Sequence, residues 1–140
     1  MKKLLLLLAA MLTMGIGYAN EKFTCYDNLI YAIAKIESGH NEKAVSKNGR
    51  WVGYLQISKG MVDECNKILK EKRFNYKDRL DKDKSIEMFI IFQEEHNPER
   101  NIIKALRMWN EGVSRKYWKK LGPTPYTRKV MNVYNQLNLS

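Results

Sequence analysis

The sequence predicts a small, mostly α-helical domain of the α+β class, and three observations predict it. Apolar residues recur at helical spacing through nearly the whole chain after residue 24. The breaks between these stretches fall on Gly, Asn and Pro, residues that start and stop helices. One extended segment, "RWVGYLQIS" from Arg50 to Ser58, follows an Asn48-Gly49 turn signal and supplies a minor β-hairpin.

Residues 1–19 stand apart from the fold. Lys2 and Lys3 precede an apolar run from Leu4 to Ile16, and Gly17-Tyr18-Ala19 places small residues before Asn20, the pattern of a cleaved secretory signal peptide. An uncleaved anchor is the rival, disfavoured because the run is short for a bilayer span of roughly 20 residues. After cleavage no stable membrane span remains, and residues 20–140 suffice for one domain with one core. The chain is expected to be exported, periplasmic or secreted, and monomeric.

A first helix is expected from about Thr24 to Ser38, stopped by Gly39. The polar stretch His40 to Arg50 and the hairpin follow. Ser58 then suits an N-cap for a second helix with Met61, Val62, Cys65, Ile68 and Leu69 inward. Lys70 to Lys84 reads as a charged, solvated connection. A third helix has Ile86, Phe89, Ile90 and Gln93 on one face, and its apolar density from Met88 to Phe92 predicts burial on more than one side. Asn97-Pro98 reads as N-cap and first residue of a fourth helix, with Ile102, Ile103, Leu106 and Trp109 inward and Gly112 as its stop. After "SRKYWKKLG", Thr124-Pro125 opens a last helix carrying Tyr126, Val130, Met131, Tyr134 and Leu137.

Charge and cysteines narrow the function. The formal charge is +10, or +8 once Lys2 and Lys3 leave with the leader, which favours anionic partners such as wall polymers, membrane surfaces or nucleic acid. The basic residues are spread along the chain, and the leader sends the protein away from nucleic acid. Cys25 and Cys65 both survive cleavage and form a candidate disulfide, whose loop would contribute about 4 kcal/mol in the chain-entropy model. The scarcity of His and the absence of a Cys/His cluster argue against a thiol nucleophile and against a metal site.

One position breaks the helical pattern. Ile30, Ile33, Ala34 and Glu37 fall at i, i+3, i+4 and i+7, so a carboxylate stands where the core-facing row calls for another aliphatic side chain. A carboxyl at a helix C-terminus, among apolar neighbours, has its neutral form favoured by the dipole and by burial. Such a group holds its proton near neutral pH, as a general acid for glycosidic cleavage must. The bland alternative is a glutamate that caps the following loop.

The segment "IESGHNEKAVSKNGRWVGYLQIS", with "ALRMWNEG" and "PYTRKVM" downstream, resembles the catalytic domain of lytic transglycosylases and related lysozyme-like muramidases. Glu-Ser opens the site in that family, and Gly53-Tyr54-Leu55-Gln56-Ile57 stands where it has Gly-Leu-Met-Gln-Ile. "ALRMWNEG" is similar to its Ala-x-x-x-Tyr-Asn-Ala-Gly, and "PYTRKVM" to its late Tyr-Val-x-Lys-Ile-Leu. No one motif is specific; four in the right order over Leu29 to Met131 are. The resemblance implies a lysozyme-like fold and cleavage of the peptidoglycan glycan strand between N-acetylmuramic acid and N-acetylglucosamine. Glu37 would act first as acid and then as base, leaving a 1,6-anhydro product without cofactor or metal.

The same resemblance implies saccharide-facing roles for Gln56 and Asn110, an orienting role for Ser38, and a hydrogen bond from Tyr126 to Glu37 or to an acetamido group. Trp51, in a polar loop, is the candidate for the cleft rim, whereas Trp109 is assigned to the core. Asp63, Glu64 and Glu111 are the acids nearest the motifs, and none looks like a second catalyst. Tyr54, Leu55, Trp109 and Glu111 depart from the family pattern, which bears on specificity more than on chemistry. Two other readings stay open at this point: a hydrolytic muramidase, and a catalytically silent peptidoglycan-binding module. The partner is peptidoglycan, with a secretion, conjugation or phage assembly as the possible setting.

Overall fold

The computed structural model describes residues 26–113 and 122–139, and helix dominates them. The first helix, α1, occupies 26–38; α2 is Lys59–Leu69, α3 Lys82–His96, α4 Ile102–Glu111 and α5 Pro125–Asn138. A 3-10 turn, Tyr76–Leu80, lies between α2 and α3. This mostly α architecture is consistent with a lysozyme-like fold.

The caps explain several boundaries. Ser58 caps α2 by accepting from Met61 N, and Thr124 caps α5 in a reciprocal box with Thr127, with Pro125 at the first helical position. α1 ends where Gly39, at φ 59°, leaves the right-handed region and His40 N returns to Ala34 O. The buried core joins Leu29, Ile33 and Ala34 of α1 to Val62 and Cys65 of α2, to Met88, Phe89 and Phe92 of α3, and to Leu106 and Met108 of α4. α3 is buried on more than one side, as its apolar density implies.

Four expectations are corrected. In place of the hairpin, 43–58 forms a succession of turns with two isolated antiparallel bridges, Val45 to Val52 and Val52 to Ile57. Gly53 (φ 85°) and Gln56 (φ 50°) both leave the extended region there, so no ladder can propagate. The charged connection is not a solvated loop throughout: α3 starts at Lys82, and Phe74 and Arg79 are buried. α4 is capped by Asn101, whose side-chain oxygen accepts from Lys104 N, rather than by Asn97, whose own oxygen accepts from Asn101 N ahead of the helix. Finally, the inner face of α4 includes Ala105 and Met108 beside the expected Leu106; Ile102 and Trp109 pack against the core while partly buried, and Ile103 is not among the core-packed residues.

Cys65 is a buried thiol whose Sγ donates to Met88 O at 3.4 Å. Burial, with Glu64 and Glu87 nearby, pushes its pKa up to about 12, so it has no thiolate character at neutral pH. Cys25 lies outside the described residues, as do the predicted leader and Trp118.

Candidate active site

Four elements converge on one cleft of about 290 Å³. Glu37 comes from the last turn of α1. Trp51, Gln56 and Ile57 come from the turn segment, Ser58 and Met61 from the start of α2, and Trp109 and Asn110 from the end of α4. The aliphatic row of α1 is fully buried at Ile33 and Ala34 and opens at Glu37, which is half-buried. The row therefore leads from the core to the cleft wall, and the carboxyl sits where the helix runs out.

The environment of that carboxyl is set by two opposing effects. Desolvation by burial raises its pKa above the ordinary 4.5, and the hydrogen bond from Tyr126 lowers it by a smaller amount. Tyr126 Oη donates to Glu37 Oε1 at 2.8 Å, reaching from the first turn of α5 to the last turn of α1. Burial, and then the facing carboxyl, push the phenol far above its usual range, so it remains a donor. Among the described residues Glu37 is the one carboxyl lining the cleft, and residues 114–121 include no Asp or Glu.

The other candidate residues divide by what their polar atoms do. Gln56 Nε2 donates to Ala44 O (3.2 Å) and Gly53 O (3.0 Å), so the side-chain oxygen is the atom left for the cleft, as an acceptor. Ser38 does not line the cleft. Its hydroxyl donates to Tyr54 O at 2.7 Å, tying the end of α1 to the turn segment, a positioning contact beside the acid. Asn110 is exposed on the cleft wall, and Trp51, at 43 % relative exposure, forms its rim under the Arg50 guanidinium.

Trp109, assigned to the core by spacing, serves both sides. Its ring packs edge-on against Phe89, with centroids 4.9 Å apart, and also lines the cleft. Ser58 and Met61 were not singled out as lining residues; their places immediately after the Gly53 to Ile57 motif, on the first turn of α2, are the signal that could have found them. The remaining acids are occupied elsewhere. Asp63 accepts from Tyr76 Oη, Glu64 pairs with His96, and Glu111 Oε2 accepts from Arg107 Nε at 2.7 Å.

The site thus combines one desolvated carboxyl, a tyrosine hydrogen-bonded to it, an amide acceptor and two indole surfaces. Indoles offer the apolar faces on which pyranose rings stack, and the polar atoms suit hydroxyl and acetamido groups. No group of three or more potential metal ligands occurs among the described residues. The family profile described as the transglycosylase SLT domain matches residues 14–122, a span that contains every cleft-lining residue. Tyr126 lies just past its end. No curated protein and no solved structure matches the chain significantly.

Proposed function

The chain belongs to the transglycosylase SLT domain family, whose members are peptidoglycan-cleaving enzymes, and on that premise we propose that it is a lytic transglycosylase with Glu37 as its single acid and base. The observation that carries this reading is the half-buried carboxyl of Glu37, desolvated, held by Tyr126 and the one carboxyl among the described residues that line the cleft.

Protonated Glu37 gives its hydrogen to the glycosidic oxygen between N-acetylmuramic acid and N-acetylglucosamine as the C1–O bond breaks. The positive charge at C1 is met by the sugar's own acetamido oxygen. The Glu37 carboxylate then removes the proton of the muramoyl C6 hydroxyl, whose oxygen closes on C1. The product is a 1,6-anhydro sugar, no water is consumed, and Glu37 ends protonated as it began. Gln56 and Asn110 bind hydroxyl or acetamido groups, while Trp51 and Trp109 carry ring faces. A directly displacing hydrolase places a second carboxyl about 5 to 9 Å from the first, and the described cleft supplies none.

Substrate location requires action outside the cytoplasm, which agrees with the leader proposed for residues 1–19. Among the described residues no helix is long and apolar enough to cross a membrane.

The test is digestion of purified sacculi followed by mass spectrometry of the fragments. Anhydro-muropeptides are the expected product. Reducing ends, heavier by one water, would assign hydrolysis instead, and intact sacculi after incubation with folded protein would leave a binding module.

A further inference from the structure

We infer that Arg79 is a positioning residue for the cleft wall that carries Trp51 and Gln56. It stands in the 3-10 turn, outside the cleft and outside every motif that marks the family resemblance, yet it is only 7 % exposed. Its guanidinium spends its hydrogens on carbonyls rather than on a carboxylate. Nε donates to Tyr76 O at 2.8 Å, within its own turn, while Nη1 donates to Arg50 O at 3.3 Å and to Ile57 O at 3.2 Å.

Those last two carbonyls flank residues 51–56, the segment with Trp51 at one end and Gln56 at the other. One nitrogen therefore clasps both ends of the turn. The middle of the same turn is seated on the same residue: a Cβ added to Gly53 would lie 1.7 Å from Arg79 O. Arg79 O is held in its turn by Ser85 Oγ, at 3.2 Å, from the first turn of α3. Side chain and main chain of one arginine thus fix the turn at both ends and at its centre.

The need for such a clasp follows from the turn's own backbone. Gln56 holds a left-handed φ of 50° without being glycine, a conformation that persists only where surroundings enforce it. Of the two bridging bonds of the segment, Ile57 N to Val52 O and Val52 N to Ile57 O, the second lands on the carbonyl that Arg79 also holds. A planar fork reaches several carbonyls from one stem, which an ammonium cannot do with the same geometry. Releasing the fork lets Trp51 and Gln56 move relative to Glu37, which Tyr126 holds from α5, while Ser38 Oγ still ties the middle of the turn, at Tyr54 O, to the end of α1.

This inference rests on reading the cleft as a saccharide site, so its test measures binding apart from cleavage. Wild type, Arg79→Met, Arg79→Lys and Asn66→Ala are compared for thermal midpoint and for Kd of a soluble N-acetylglucosamine oligomer, followed by tryptophan fluorescence. Asn66, which brackets Phe74 by two hydrogen bonds of 2.9 Å, is the control for destabilisation away from the cleft. Arg79→Met is expected to raise Kd about tenfold, with a smaller rise for Arg79→Lys and an unchanged Kd for Asn66→Ala. A lowered midpoint with wild-type Kd in Arg79→Met would overturn the inference. If the Met variant does not fold, the Lys variant decides in the same way. A wild type that binds without cleaving removes the chemistry assigned to Glu37 and leaves the Kd comparison decisive; a wild type that does not bind overturns both.

Discussion

At the scale of single residues, Glu37 was legible because it violates the periodicity that surrounds it. An aliphatic row that ends on a carboxylate has few structural excuses, and the structure puts that carboxyl at the mouth of a cleft. What spacing could not reveal was the fate of each polar atom. Ser38 and Gln56 look alike in a motif, yet the hydroxyl is consumed by Tyr54 O while the amide keeps its oxygen for the cleft. Trp109 escaped for a similar reason, since helical phase assigns a face and cannot show that the face is split between core and cleft. Glu37→Gln is expected to lower the cleavage rate by about a thousandfold or more while preserving the fold, as removal of a general acid does. Circular dichroism and a sacculus assay check both halves.

The same carboxyl links activity and stability to pH. Because its folded pKa is raised above 4.5, the neutral form is the one folding favours. Stability from this group is present below the unfolded value and is lost as pH rises through the folded one. Relative to wild type, Glu37→Gln should therefore gain thermal midpoint as pH climbs above the ordinary carboxylate range; an advantage that shrinks with rising pH would contradict the burial argument. Tyr126→Phe deletes the hydrogen bond that lowers the Glu37 pKa, so the alkaline limb of the rate profile should move to higher pH.

At the scale of elements, the helices were legible where a cap and a stripe agreed, as at Ser58 with Val62 and Cys65, or Thr124-Pro125 with Val130. They misled where two caps competed. Pro98 made Asn97 look like a helix start, but its side-chain oxygen accepts from Asn101 N and Asn101 caps α4 instead. The 70–84 connection hid its anchors among charges, since a buried arginine held by carbonyls leaves no apolar signature. The turn segment was misread as a hairpin because β-prone residues outweighed two left-handed positions. Gly53→Ala tests that correction: a Cβ at φ 85°, driven into Arg79 O, should cost about 3 kcal/mol or more. Thermal denaturation at matched conditions gives the number, and a change below about 1 kcal/mol would mean that the turn has room to relax.

At the scale of the whole molecule, composition marked the chain as basic and left the partner undecided; four ordered motifs carried the choice. The charge of +10 has its own consequence on a polyanionic wall. Raising salt from about 0.05 M to about 0.5 M should slow sacculus digestion, because screening removes long-range attraction to the wall. Binding of a short neutral oligosaccharide should change little over the same range. Equal loss of both would place the salt effect in the cleft itself.

The catalytic expectations depend on a carboxyl that keeps its proton. Carbon-13 NMR titration of the Glu37 side chain, with Glu37→Gln to assign the resonance, measures that property without any substrate. The predicted result is a midpoint above 4.5 that rises further in Tyr126→Phe, and a midpoint at or below 4.5 would contradict the role given to Glu37.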